Sequence, residues 1–186
     1  MKFRAFIAVE MGHLPELVHF HSELSDLGPG VKAVDTSHLH VTLKFLGDTE
    51  ESFVPKLNDI MSSAINGIKP LTITLRGSGT FPPKGNARVV WVGLEGAEPL
   101  GVIASRLEAS CRELGFEPEG RAFKPHLTLA RIKDPKASSS AILLAERYSS
   151  SEFGSVKVDK ILLKKSVLGP QGPTYTTVLT SPMASQ

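Results

Sequence analysis

Two short segments of the chain repeat a set of residue types that can do acid–base chemistry. Residues 40–43 read HVTL and residues 126–129 read HLTL. An imidazole has an ordinary pKa of about 6.5, so it can give or take a proton near neutral pH. A threonine hydroxyl can donate a hydrogen bond to an oxygen on which charge develops. Two of each suit in-line displacement at phosphorus, with one imidazole as base and the other as acid.

The spacing of these residues matters because both segments are predicted to be β-strands. Successive side chains of a strand point to opposite faces. His40 and Thr42 therefore share one face, and His126 and Thr128 share one face of the second strand. The apolar residues between them fall on the other faces, where they can pack under helices. If the two strands face each other, all four polar side chains line one cleft and the displacement requires no metal.

The elements that must position these strands follow from hydrophobic spacing and turn signals. Apolar residues three and four apart predict helices over 14–27, 51–66 and 100–114, and the Asp134-Pro135 pair begins another to about residue 148. Strands are predicted at 3–10, 40–46, 71–82, 87–95, 121–132, 155–169 and 173–180. This order predicts an α+β protein: a single domain, 1–186, of two similar lobes, each an antiparallel sheet with helices. The lobes are predicted to have a pseudo-twofold relation and to face each other across a central cleft.

Composition and charge narrow the function classes. The 186 residues are 41% hydrophobic and 22% charged, with a net charge of +2, which is ordinary for a globular protein. This charge permits a phosphate-bearing partner, but a long nucleic-acid groove would leave a denser basic stripe. Cys111 is the only cysteine, so an intrachain disulfide is excluded. The charged N-terminus and the lack of an apolar run of about 18 residues argue against a signal peptide or membrane span. We expect a soluble, cytoplasmic protein.

The wider context of the two segments resembles a known family. Residues 39–47 (LHVTLKFLG) and 125–131 (PHLTLAR) are similar to the paired motifs of the two-histidine phosphoesterase superfamily. Nearly the whole chain resembles its RNA 2′,3′-cyclic phosphodiesterase branch, often labelled 2′-5′ RNA ligase. The segments RAFIAVE, GSGTFPPKGNARVVWVGLE and KKSVLGPQGPTYTTV carry the rest of the resemblance, and only the final SPMASQ lies outside it.

The resemblance implies a bilobal fold and an RNA substrate that ends in a 2′,3′-cyclic phosphate, which is opened to a 2′-phosphate. It gives His40 the role of general acid on the 3′ leaving oxygen and His126 that of the base that activates water. Thr42 and Thr128 match phosphate-binding hydroxyls. The residue types alone leave the acid and base assignment symmetric. The same site run in reverse would join a 5′-hydroxyl to the cyclic phosphate, as in 2′-5′ ligation of tRNA halves. No cofactor and no metal are implied.

Arg131 matches a family position near the phosphate. Its charge would stabilise the anionic transition state. Strict alternation, however, places Arg131 on the face of Leu127 and Leu129, opposite His126. It can reach the cleft only if the strand bends or bulges after Leu129. The alternative is a surface arginine at a strand end.

Three further residues are candidates for contact with RNA. Lys44 has the parity of His40 and would touch a phosphate or simply be solvated. Phe45 and Phe81 could stack on a base. The parity of Phe45 favours core packing instead, whereas Phe81 precedes a Pro-Pro turn, where exposure is expected.

His38 shares the predicted face of His40, which raises the question of a zinc site formed with His126. The chain offers no carboxylate or thiolate at a diagnostic spacing from these residues, so we expect no metal and place His38 at the rim of the cleft.

Two alternatives to RNA hydrolysis remain. One is a non-catalytic RNA- or nucleotide-binding module, and the other is a phosphodiesterase for small cyclic nucleotides. A pure binder has no need for two histidines at matched positions, which favours an enzyme. The expected partner is an RNA with a cyclic phosphate terminus, with no membrane partner, and a monomer is the expected state.

Overall fold

The computed structural model describes residues 1–185, which form two antiparallel sheets with helices. The strands are β1 (Lys2–Glu10), β2 (Val31–Ala33), β3 (His40–Glu50), β4 (Leu71–Phe81), β5 (Val89–Glu95), β6 (His126–Ile132), β7 (Glu152–Val158), β8 (Lys160–Gly169) and β9 (Gly172–Pro182). The helices are α1 (Val18–Ser25), α2 (Val54–Ala64), α3 (Glu98–Glu113) and α4 (Ser138–Arg147). The α+β prediction is confirmed.

Each sheet and the helices packed on it form what we call a lobe. The first lobe has strand order β3-β1-β8-β9 and carries α2 and α3. The second has strand order β2-β6-β5-β4-β7 and carries α1 and α4. The chain crosses between lobes repeatedly, because β2 interrupts the first lobe and β8 and β9 return to it. One cluster of buried apolar side chains includes residues of both lobes. The lobes are therefore interwoven and do not correspond to the two halves of the sequence.

α3 shows how the sequence specifies an element that supports the cleft. Its buried residues lie three or four apart along one face, at Leu100, Ile103, Ala104, Leu107 and Cys111. A proline stands in the first turn, where its missing N–H is no loss. Gly115 ends the helix with φ of +87°, and its N–H donates to the carbonyl oxygen of Arg112. The helix predicted over 100–114 is confirmed within two residues at its start and one at its end.

The structure differs from the predicted elements at several places. The predicted strand 155–169 is two strands, β7 and β8, which belong to different sheets, and the strand predicted from residue 121 begins at His126. Other differences lie around the first histidine segment. The three-residue strand β2 and the 3-10 turn Thr36–His38 were not predicted, because neither is long enough to show a period. β3 continues to Glu50, beyond the predicted end at residue 46, and α2 begins only at Val54 after a further 3-10 turn. Within residues 1–185, no helix is long and apolar enough to cross a membrane.

Candidate active site

β3 and β6, the strands that carry the two histidines, contact each other where the lobes meet. Each of these strands pairs with a neighbouring strand, and the residue opposite each histidine points to the same side of the sheet as the histidine. Glu10 of β1 lies directly opposite His40, and Gly93 of β5 lies directly opposite His126. Residues opposite each other in an antiparallel pair point to the same face. The pairing therefore defines which side chains surround each imidazole.

The two imidazoles are held in the same way. Nδ1 of His40 lies 2.7 Å from the carbonyl oxygen of His38, and Nδ1 of His126 lies 2.7 Å from that of Lys124. A carbonyl oxygen only accepts, so each Nδ1 carries the hydrogen and donates it. Nε2 of each ring is then the nitrogen available to a substrate. It can take a proton when the ring is neutral and give one when the ring is charged.

The environment of His40 favours its neutral form in the free protein. Burial lowers the pKa of His40 below its usual range, because the charged ring loses hydration. The hydrogen bond to the His38 carbonyl opposes this shift, and the ammonium of Lys164 lowers the pKa further. An anionic phosphate bound beside the ring would favour the protonated form that a general acid needs.

A bulge in β6 brings Arg131 to the face of His126. Thr128 pairs with Trp91, but the next pair along the ladder is Ala130 with Val90, so Leu129 is an extra residue. A bulge shifts the alternation by one position. The sequence allowed Arg131 to reach the cleft only if the strand bent or bulged after Leu129, and the structure contains a bulge at Leu129. Its role as a phosphate ligand stays a prediction.

Arg131 also acts across the boundary between the lobes. The ring of Tyr175, on β9 of the first lobe, lies 5.4 Å from the ring of His40. Burial raises the pKa of Tyr175, and the guanidinium groups of Arg131 and Arg4 oppose that shift. The positive charge of Arg131 therefore reaches the side of the cleft that carries His40.

A matching bulge in β3 exchanges the expected places of Lys44 and Phe45. Thr42 pairs with Ala8 and Lys44 with Ile7, so Leu43 is the extra residue. Phe45 then shares the face of His40 and is 58% exposed. The core-packing interpretation of Phe45 is wrong because it assumed strict alternation through this position.

Lys44 points away from the cleft, so its predicted contact with RNA or solvent is wrong. Its side chain is 1% exposed. Nζ donates to the carbonyl oxygen of Glu117 at 2.7 Å and lies 3.0 Å from a carboxylate oxygen of Glu108. A carboxylate oxygen of Glu119 lies 3.7 Å from Nζ of Lys44. The same oxygen accepts a hydrogen bond from the N–H of Phe45. Lys44 thus ties β3 to the loop that leads into β6.

Aromatic side chains stand next to both histidines. The ring of Phe81 meets that of His126 edge-on at 5.2 Å, and Phe6 lies 5.0 Å from His40. Phe81 is only half-buried, which is compatible with its predicted exposure. Phe45 continues the first-lobe row, with its ring 6.4 Å from Phe6. Apolar rings therefore flank the polar set on two sides.

Tyr175, Glu10 and Lys164 were missed as site residues. All three line one cavity with His40. Tyr175 lies in a segment that carried the family resemblance, so its aromatic ring in a predicted hairpin was an available signal. Glu10 and Lys164 also lie in segments that carried the resemblance, but nothing in the chain order places them near His40, because their strands come from opposite ends of the chain.

His38 ends the 3-10 turn before β3, with its ring 5.3 Å from Tyr175. Among residues 1–185, no three His, Cys, Asp or Glu side chains are grouped as a metal site. His38, His40 and His126 therefore do not form the zinc site that the sequence raised.

Comparison with known proteins decides the family. The model of the 2′-5′ RNA ligase superfamily matches residues 7–167, which include both histidine strands. The chain belongs to this superfamily. Among similar members is the RNA 2′,3′-cyclic phosphodiesterase of Methanothermobacter thermautotrophicus, 35% identical over 95% of this chain and 96% of its own. The protein of that name from Archaeoglobus fulgidus is 36% identical over 92% of this chain and 96% of its own.

Solved structures share the fold of this chain. The crystal structure of TT0787 of Thermus thermophilus superposes with a TM-score of 0.78 at 32% identity, over 97% of both chains. That of E. coli LigT complexed with 3′-AMP gives 0.71 at 22% identity, over 100% of both. The family model and the relatives named above confirm the resemblance seen in the sequence, and the solved structures agree with the fold it implied.

Proposed function

We propose that this protein hydrolyses RNA 2′,3′-cyclic phosphate ends to 2′-phosphates by metal-independent acid–base catalysis. The observation that carries the proposal is the matched state of the two histidines. Each has Nδ1 committed to a carbonyl oxygen, which leaves Nε2 for the substrate, and each shares its strand with a threonine two residues on. A binding module needs no fixed tautomer at two positions, so this match favours an enzyme.

The reaction assigns one step to each group. Nε2 of neutral His126 takes a proton from water while the water oxygen attacks phosphorus. The bond between phosphorus and O3′ breaks as Nε2 of protonated His40 gives its proton to O3′. The hydroxyls of Thr42 and Thr128 donate to the non-bridging oxygens, and Arg131 stabilises their charge. The product keeps its phosphate on O2′, and proton exchange with solvent restores both rings.

The substrate class and the reverse reaction extend this proposal. The curated relatives are named for RNA 2′,3′-cyclic phosphates, which supports RNA ends as substrates. We propose tRNA fragments as one source of such ends. A 5′-hydroxyl in place of water would give a 2′-5′ linkage by the same two proton transfers: His126 takes the proton of the 5′-hydroxyl, and His40 gives its proton to O3′. We infer that the enzyme works as a monomer, since both histidines come from one chain.

The test is hydrolysis of a nucleoside 2′,3′-cyclic phosphate, and of a short RNA ending in one, in the presence of EDTA. We expect turnover of both, with the 2′-phosphate as product. A 3′-phosphate product would mean that O2′, not O3′, is the leaving oxygen, so the substrate would lie the other way round between the two histidines. Turnover that stops in EDTA would contradict the metal-independent mechanism, and binding without turnover would support a binding module.

Stacking on Phe45 is a separate prediction. Replacing Phe45 with alanine removes an exposed ring on the face of His40. Base stacking contributes about 1–3 kcal/mol, so KM for the RNA substrate should rise about tenfold with little change in kcat. Leu143→Ala removes an exposed apolar side chain from α4 and is the matched control. Equal KM values for the two variants would show that Phe45 does not contact the substrate. Phe81→Ala tests the side of His126 in the same assay.

A further inference from the structure

An ion pair stands beside His40 in the cleft. Nζ of Lys164 donates to Oε1 of Glu10 at 2.6 Å and to Oγ1 of Thr177 at 2.9 Å. The side chain of Lys164 is only 11% exposed, whereas that of Glu10 is 48% exposed. The pair lies in the wall of a cavity of about 230 Å³ lined by Glu10, Ser37, His38, His40, Lys164 and Tyr175.

The second lobe has a glycine where the first has the carboxylate. Glu10 is the cross-strand partner of His40, and Gly93 is the cross-strand partner of His126. A Cβ at Gly93 would come within 2.4 Å of the carbonyl oxygen of Arg76, so a side chain cannot be placed there without moving backbone. The fold therefore builds a charge difference between two histidines whose Nδ1 atoms are held by the same kind of hydrogen bond.

Charged and titratable groups face His40 from several elements. Glu10 comes from β1, Lys164 from β8, His38 from the preceding turn and Tyr175 from β9, with His126 on the contacting strand β6. Of the two charges, the Lys164 ammonium lowers the pKa of His40 the more, and the Glu10 carboxylate opposes it by favouring the imidazolium form.

The balance between these two charges has a chemical consequence. A carboxylate without a nearby cation would raise the pKa of the neighbouring imidazolium. The imidazolium would then be a poorer proton donor to a leaving oxygen. The ammonium of Lys164 offsets the charge of the Glu10 carboxylate. Its hydrogen bonds go to Glu10 and Thr177. Because the side chain of Lys164 is nearly buried, solvent screens its charge less than it would an exposed charge.

We propose that the Glu10–Lys164 pair is a positioning and charge-balancing element for His40, and that it suits His40 rather than His126 to the role of proton donor. The catalytic part of this inference rests on the proposed function. Both side chains act through His40, so they are positioning residues.

The test follows the titration of the His40 ring by NMR in the free protein. Lys164→Met leaves the carboxylate unopposed, so the pKa of His40 should rise. Glu10→Gln leaves the ammonium unopposed, so the pKa of His40 should fall. The double variant should return it to between the two single variants. Lys160→Met removes an exposed charge from the same strand and should leave the titration unchanged.

The pH dependence of kcat/KM gives the catalytic readout. The alkaline limb reports the group that must be protonated, so it should move up in Lys164→Met and down in Glu10→Gln. Lys164→Arg should restore it. We expect kcat to fall several-fold in Lys164→Met with KM nearly unchanged.

Three outcomes would overturn the inference. These are shifts of the His40 titration in the same direction in both single variants, no shift in either, or a rise in KM alone with weaker inhibition by inorganic phosphate. The last would make Lys164 a phosphate ligand. Because the NMR titration needs no substrate, opposite shifts in a protein that turns over no cyclic phosphate would uphold the charge balance and reject only the proposed function.

Discussion

Alanine at His126 or at His40 is expected to lower kcat for a nucleoside 2′,3′-cyclic phosphate by about 10²–10⁴-fold in each case. In the proposed mechanism each substitution removes one proton transfer and leaves the threonines and Arg131 to bind the phosphate. KM should therefore change little, and the free variants should fold, since both rings are only half-buried. Steady-state rates of both variants, measured at several pH values, check this expectation.

The double variant and a neighbouring histidine supply the controls. Because the two rings act in one displacement, the loss in the double variant should be smaller than the product of the single losses. His38→Ala changes a histidine of the same cavity whose backbone carbonyl, not its ring, holds His40, so its effect should be far smaller. If either histidine variant kept near-native kcat, the two-histidine mechanism would be rejected.

Replacement of Lys44 by methionine is expected to reduce the free energy of unfolding by about 3 kcal/mol. The substitution keeps the volume of the side chain but leaves the carboxylates of Glu108 and Glu119 facing a buried site without a cation. The partners are 30% and 39% exposed, which puts the cost at the low end for a broken buried pair. For a domain of this size, the melting temperature should fall by about 6–12 °C.

A matched variant separates burial from charge in this experiment. Lys160→Met removes an exposed lysine from β8 and should shift the melting temperature by less than about 2 °C, as surface substitutions usually do. Activity at low temperature should also fall in Lys44→Met, because Glu119 anchors the N–H of Phe45 in the bulged strand. Equal melting temperatures for the two variants would show that the contacts of Lys44 with Glu108, Glu117 and Glu119 contribute nothing to the free energy of unfolding.

Several features of this protein were readable from the amino-acid sequence by itself. The two histidine–threonine pairs needed only the two-residue alternation of a strand, and the helices needed only the three- and four-residue spacing of their apolar residues. The α+β class followed from the order of these elements, and the motif context was enough for the family. These are local patterns, so each can be read without knowing which strands pair.

The tertiary structure alone decided the facing of Lys44, Phe45 and Arg131. A bulge is defined by two residues opposing one on a neighbouring strand, and no period within a single strand records it. The same limit applies to Glu10 and Lys164, which come together only because β1 lies between β3 and β8. Residue types gave the two histidines equal chances of acting as acid or base. Sheet pairing, which sets a carboxylate opposite one ring and a glycine opposite the other, makes them different.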